Sequence, residues 1–338
     1  MEINFLRYFT FTRFLNVYKI LLSFTISLVI RKPVLWGMPL TYSIEPTNHC
    51  NLKCPECPSG LGTLTRPLGV MEPEFFKRII DEIYHAGFYV QLFFQGEPYI
   101  NKNLPDMIEY AQKKKIYVSV STNGQFINEN NVGLFLEPAP DKIIFSIDGL
   151  DETTYQKYRI GGTFKAADER LKLLTDTKRK LKLKKPFIEL QYIVMKQNEH
   201  LIDRVKQYGV SRGVDRTVFK TMQVSSYSNA INFLPRNEEF RRYSIDNGSL
   251  KIKGKLSNHC FALWRTSVIT WDGRVVPCCF DKDAVYEFGR LNGTTFNQIW
   301  NSGGFQNFRQ RVLINRKETD MCSNCTAGIK VNIFGAEQ

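Results

Sequence analysis

The chain has 338 residues, of which 43% are apolar and 23% charged, so it reads as a folded protein with room for one large α/β domain and a smaller one. Its formal charge of +13 favours an anionic partner: a phospholipid surface, a phosphorylated substrate or a nucleic acid. Eight cysteines are too sparse for a disulfide-stapled secreted scaffold, and their clustering suits metal ligation in a reducing compartment.

Residues 1–40 form a basic, aromatic N-terminal segment. No acidic residue lies between Glu2 and Glu45, while Arg7, Arg13, Lys19, Arg31 and Lys32 are spread among Phe, Tyr, Leu and Ile. The longest uncharged run, residues 20–30, has 11 residues, whereas a spanning helix needs about 20. No small-residue cleavage site follows it, which argues against a secretory signal. The segment is expected either to lie at a membrane interface or to pack as an extra helix on the main domain. The expected location is cytoplasmic or membrane-peripheral.

From residue 41 short strand patterns alternate with helical ones. "TYSIEP" reads as a first strand, and residues 72–87 as a helix with apolar positions at 75, 76, 79, 80 and 83. "YVQLFF", "IYVSV", "KIIFSI", "FIELQYIVM" and "VDRTVFK" read as five further strands, separated by helical stretches that include 103–115, 164–183 and 198–209. Six β/α units predict a parallel sheet over 41–222, and periodicity leaves open whether it closes as a barrel or opens as a doubly wound sheet. The basic run "KRKLKLKK" at 178–185 falls at a helix C-terminus, where cations meet the negative end of the dipole. It lacks aromatics for base stacking, so no nucleic-acid partner is expected. Residues 223–259 are polar and read as an irregular linker before a cysteine-rich segment, 260–338.

"CNLKCPECP" places Cys50, Cys54 and Cys57 after the first strand. Tetrahedral zinc would need a fourth ligand from elsewhere. A redox C-x-x-C would leave Cys50 idle and would want a helix at Cys57, where Pro58, Ser59 and Gly60 follow. A four-iron cluster on three thiolates would keep one iron open. Spacing alone leaves zinc and cluster both standing. The loops after the next strands, "QGEP" (95–98), "STNG" (121–124) and "SIDG" (146–149), are small, polar and Gly-containing. All fall at strand C-terminal ends, where sites collect in parallel α/β proteins.

C-x3-C-x2-C after a first strand, with GEP at 96–98 and S-x-D-G at 146–149, resembles the radical S-adenosylmethionine (SAM) superfamily over residues 41–220. The resemblance implies a partial (β/α)6 TIM-like barrel, α/β in class, with a SAM-binding 4Fe-4S cluster on Cys50, Cys54 and Cys57. SAM would chelate the open iron and be cleaved reductively to a 5′-deoxyadenosyl radical, with an electron donor such as flavodoxin or ferredoxin. Carried over by position, Gly96, Glu97 and Pro98 would edge the methionyl group, and Ser121, Thr122 and Asn123 the ribose and carboxylate. Asp148 and Arg159 are further candidates, Arg159 as a partner of the methionine carboxylate. Glu56 stands where an aromatic residue is usual, and Gln95 where a first Gly is usual.

The remaining cysteines are Cys260, Cys278, Cys279, Cys322 and Cys325. "WDGRVVPC" predicts a hairpin with Asp272 and Gly273 in its turn and Cys278 on its second strand. Four thiolates from two elements can close a full shell, which zinc would also accept. The set resembles the SPASM/twitch extension of radical SAM enzymes, which implies one auxiliary 4Fe-4S cluster on Cys260, Cys278, Cys322 and Cys325, with Cys279 spare. Lys282, Arg274 and Arg265 are the cations nearest in sequence. The resemblance implies an enzyme acting on a peptide or protein, or on a carbohydrate- or lipid-linked small molecule. The competing expectation is a zinc-bound, non-redox module docking on nucleic acid or membrane.

Overall fold

The computed structural model describes residues 7–254 and 256–325. Residues 1–6 of the N-terminal segment, Lys255 of the expected linker and 326–338 of the expected C-terminal segment lie outside the described residues. In chain order the strands are β1 (Thr41–Ile44), β2 (Tyr89–Gln91), β3 (Tyr117–Thr122), β4 (Lys142–Ser146), β5 (Phe187–Val194) and β6 (Arg216–Thr221). They continue with β7 (Tyr243–Asp246), β8 (Ser249–Ile252), β9 (Thr266–Ile269) and β10 (Val275–Val276). The chain divides into two compact units, one of residues 1–49, 64–119 and 256–328, the other of 50–63, 120–255 and 329–338.

In the first unit the strands run β10-β9-β1-β2-β3. β1, β2 and β3 are parallel, with Tyr42 opposite Val90 and Val90 opposite Val118. Helix Pro73–Ile83 connects β1 to β2 and buries Phe76, Ile79, Ile80 and Ile83; helix Leu104–Lys113 connects β2 to β3. β2 is three residues long rather than the expected six, because the chain bends towards Gly96 after Gln91. The expected hairpin forms, with β9 and β10 antiparallel around Asp272 and Gly273, but β10 ends at Val276, so Cys278 lies in the bend just beyond the second strand rather than on it. Its first strand does more than the sequence predicted: β9 lies parallel to β1, Tyr42 opposite Ser267.

The N-terminal segment forms α1 (Phe11–Ile30), capped by Thr10, whose hydroxyl accepts the Arg13 amide at 3.3 Å. It packs on the first unit by a polar stripe: Arg13, Asn16, Ser23 and Ser27 are buried with Ile20. The Arg13 guanidinium donates to the carbonyls of Tyr8 (2.7 Å), Tyr84 (2.6 Å), Lys114 (3.1 Å) and Lys115. Tyr84 and Lys114 are the C-caps of helices Pro73–Ile83 and Leu104–Lys113, so one buried cation satisfies two helix ends where the dipole favours it.

In the second unit the strands run β4-β5-β6, all parallel. Helix Phe164–Lys180 is capped by Thr163, buries Ala167, Leu171 and Leu174, and ends in Lys178, Arg179 and Lys180. Lys178 and Arg179 pair with Asp215 (2.7 Å) and Asp176 (2.9 Å). The stretch expected to be an irregular linker is structured. It holds helix Tyr227–Phe233 and the β7–β8 hairpin, whose Asn247-Gly248 turn has φ of 46° and 76°. Both turn residues are left-handed, the conformation that Asn-Gly favours in two-residue hairpins.

Residues 45–48 and 66–69 flank the loop that carries Cys50, Cys54 and Cys57, and they are bonded to each other. Arg66 makes a two-pronged ion pair with Glu45, both contacts 2.6 Å, with both side chains buried. Glu45 also accepts the Trp271 amide at 3.2 Å, tying in the β9–β10 turn. Asn48 adds a 2.9 Å bond to the Pro67 carbonyl and accepts the Gly69 amide at 2.9 Å. Removing one member of a buried pair strands the other charge. Glu45→Leu is therefore expected to cost about 3–5 kcal/mol in urea unfolding, and a loss under about 1 kcal/mol, the size of an exposed pair, would contradict this account.

Candidate functional site

None of the eight cysteines forms a disulfide. In the second unit Cys54 is buried in an apolar cluster with Leu52, Tyr158, Met195, Met222 and Val224, and Cys50 and Cys57 pack against the same cluster. These are the only cysteines in that unit; the other five belong to the first. A tight turn orders the trio: the Cys57 amide donates to the Cys54 carbonyl at 3.1 Å, and the Lys53 amide to Ile160 at 2.8 Å. Burial pushes the Cys54 thiol up, and the neighbouring Arg159 pulls the other way. Among the described residues, Glu56 Oε1 is the one carboxylate oxygen buried without a hydrogen bond, while Oε2 accepts the Ser225 amide at 3.0 Å. An acceptor held dry beside Cys57 suits a ligand that brings a donor.

Asp148 and Arg159, separate candidates in the sequence, are partners. Arg159 Nε donates to Asp148 Oδ2 at 2.6 Å, and Asp148 Oδ1 accepts the Ile193 amide at 2.7 Å. Burial works against the Arg159 charge, but Asp148 and Cys54 hold its pKa above the ordinary value. Thr122 and Asn123 close the end of β3. Thr122 Oγ1 accepts the Gly124 amide at 3.0 Å, and Asn123 Oδ1 that of Gln125 at 2.9 Å. Asn123 Nδ2 then donates to Asn51 Oδ1 at 2.9 Å, fastening this strand end to the cysteine loop. Ser121 is half-buried beside them.

In the first unit Gly96 has φ +79°, and a Cβ there would lie 2.6 Å from the carbonyl oxygens of both Thr47 and His49. Only glycine allows that approach. The Glu97 amide donates to the His49 carbonyl at 2.8 Å, and Glu97 caps the turn Pro98–Ile100. Gly96, Glu97 and Pro98 are thus fixed to the backbone just before Cys50.

Also in the first unit, Cys260, Cys278, Cys279, Cys322 and Cys325 line one cavity of about 200 Å³. Cys260, Cys322 and Cys325 are buried, Cys278 is intermediate and Cys279 exposed. Burial pushes the Cys260 thiol up and the Cys278 thiol up strongly; burial, and then the neighbouring Cys260, raise the Cys322 thiol to about 11. Two cations line this cavity, Arg265 and Arg316; Arg316 is buried, with Nη2 donating to Cys325 Sγ at 3.1 Å. Of the cations nearest in sequence, Arg274 is bonded to Asp272 (2.9 Å), while Arg265 reaches the cavity lining. Among the described residues no three Cys, His, Asp or Glu side chains are arranged to hold a single metal ion.

Residues 44–211 match the radical SAM superfamily and residues 260–326 the SPASM iron-sulfur cluster-binding domain. A cofactor-modifying protein for the tungsten-containing aldehyde ferredoxin oxidoreductase of Pyrococcus furiosus is 26% identical, over 79% of this chain and 82% of its own. The PqqA peptide cyclase of Granulibacter bethesdensis is 25% identical, over 80% and 76% respectively. In fold, the chain resembles Streptococcus suis SuiB bound to its precursor peptide SuiA, with a TM-score of 0.62 at 13% identity, covering 93% of this chain and 76% of that one. The fold is thus that of a SAM- and cluster-dependent α/β enzyme with a partial TIM-like barrel and a C-terminal cluster domain. The chain belongs to the radical SAM superfamily and carries a SPASM domain, and its cofactors are SAM and 4Fe-4S clusters, one of them auxiliary.

Asn51, Glu56's dry oxygen and Arg316 escaped the sequence reading. Their roles come from partners distant in the chain or from desolvation, and only the position of Arg316 six residues before Cys322 hinted at it. If Cys278 rather than Cys279 faces the auxiliary cluster, reconstituted Cys278→Ala should fall from about eight to about four irons per chain. Cys279→Ala should keep about eight; the reverse pattern would overturn the assignment.

Proposed function

We propose that this enzyme modifies a peptide by hydrogen abstraction, with Cys50, Cys54 and Cys57 holding the SAM-binding cluster. The observation that carries the reading is the three-cysteine set on one apolar cluster of the second unit, beside the separate set of five cysteines that lines the cavity of the first. In this reading Cys260, Cys278, Cys322 and Cys325 hold the auxiliary cluster, within a domain of residues 260–338 that follows a core of 41–222. When bound, SAM and the reduced cluster supply the hydrogen-abstracting radical. The chain's own residues bind, orient and keep water out.

Gly96, Glu97, Pro98, Ser121, Thr122 and Asn123 are the proposed SAM contacts. The Asp148–Arg159 pair is read here as support rather than as a carboxylate clamp. Asp148 spends both oxygens on Arg159 and the Ile193 amide, so it fixes a guanidinium beside Cys54, where thiolate charge must be offset. Arg316 does the same at Cys325. Peptide is favoured over a small molecule because relatives are named for peptides: PqqA peptide cyclase, and SuiB bound to SuiA. The reductant is a flavodoxin or ferredoxin.

Two measurements test this. After dithionite reduction, Cys54→Ala should release no 5′-deoxyadenosine; continued release would contradict the cluster assignment. Wild-type holoenzyme should then be given tryptic peptides from a fully deuterated bacterial lysate and, separately, the small-molecule fraction of that lysate. Deuterium should enter 5′-deoxyadenosine from the peptides, and entry only from the small molecules would refute the peptide reading.

A further inference from the structure

α1 is amphipathic with its faces reversed: the polar stripe is buried and the apolar stripe is turned to solvent. Phe11, Phe14, Tyr18 and Val29 are 78%, 60%, 59% and 77% exposed, and Leu21 and Leu22 lie between them. Helical geometry puts these positions on the side opposite Arg13, Asn16, Ile20, Ser23 and Ser27. The polar residue within the stripe, Thr25, turns its hydroxyl back to the Leu21 carbonyl at 2.9 Å, so it needs no water. A contiguous apolar stripe of this kind marks an interaction surface.

We propose that this stripe seats the enzyme on an anionic membrane surface, with α1 lying in the plane of the interface. Charge selects the occupant. Arg7 precedes the helix, Arg31 and Lys32 follow it, Lys19 sits at the edge of the stripe, and no acidic residue occurs from position 3 to 44. These cations would meet lipid phosphates while Lys19 extends its ammonium towards the headgroups. A second copy docked on the same face would bring identical cations together, which disfavours it. The helix is long and apolar enough to cross a membrane. Crossing would strip Arg13 from the carbonyls of Tyr8, Tyr84 and Lys114, and Asn16 from the Met38 carbonyl at 2.8 Å, so in-plane seating keeps the observed packing.

The test is co-sedimentation of full-chain holoenzyme with vesicles of phosphatidylcholine alone or mixed with phosphatidylglycerol. The protein should pellet with the mixed vesicles and stay in solution with phosphatidylcholine, and high salt should weaken binding. Phe14→Glu and Tyr18→Glu should each lower vesicle partitioning on the order of tenfold, with 5′-deoxyadenosine release and melting temperature unchanged. Equal binding to both vesicle types, binding to neither, or variants that bind like the wild type would overturn the proposal. So would a lipid-free dimer that the same variants dissociate, because the occupant would then be a second copy.

Discussion

The buried Glu45–Arg66 pair closes the base of the loop that carries Cys50, Cys54 and Cys57. On the proposed reading this loop presents three thiols to a metal group, and the protein's own bonds give its base a defined shape. Here its two ends are bonded to each other by an ion pair out of water, by Asn48, and by the Trp271 amide from the β9–β10 turn. Such a pair contributes little net stability over an apolar substitute, but it tolerates no half-removal, which makes it a determinant of register. β9 joining β1 belongs to the same arrangement, because it brings Trp271 to Glu45.

Four largely buried arginines divide into two kinds. Arg13 is spent on helix-end carbonyls. Arg309 is stacked on Trp300 and Phe305, 4.0 and 3.9 Å from their ring centres, with bonds to the Leu263 and Trp300 carbonyls. Arg159 and Arg316 differ in kind, since each sits against cysteine sulfur. A cluster with four thiolates is roughly a dianion, and placing it in an apolar setting is costly without a fixed counter-charge. Arg13 and Arg309 satisfy backbone carbonyls, whereas Arg159 and Arg316 place positive charge against cysteine sulfur.

The sequence was most informative where the chemistry is local. The spacing of Cys50, Cys54 and Cys57 and the strand-end loops at 96–98, 121–123 and 146–149 could be read from neighbours alone, as could the helix over 73–83. What stayed hidden depends on distant partners. Arg66 is ordinary until Glu45 is known to face it, and nothing in the spacing shows that Arg159 and Asp148 are partners. The Asn247-Gly248 hairpin was legible but lost in a polar stretch read as linker. The reversed faces of α1 were equally hidden, because periodicity reports that two faces differ and not which one is covered.

The central claim is that one chain carries an open three-thiolate cluster and a closed four-thiolate cluster, and that only the open one binds SAM. Electron paramagnetic resonance of the reduced holoenzyme, with and without SAM, tests it directly when the Cys50→Ala/Cys54→Ala/Cys57→Ala variant is measured beside the wild type. The account predicts that SAM changes the wild-type spectrum, and that the variant keeps one cluster signal that does not respond. A variant whose remaining signal still shifts with SAM would contradict it.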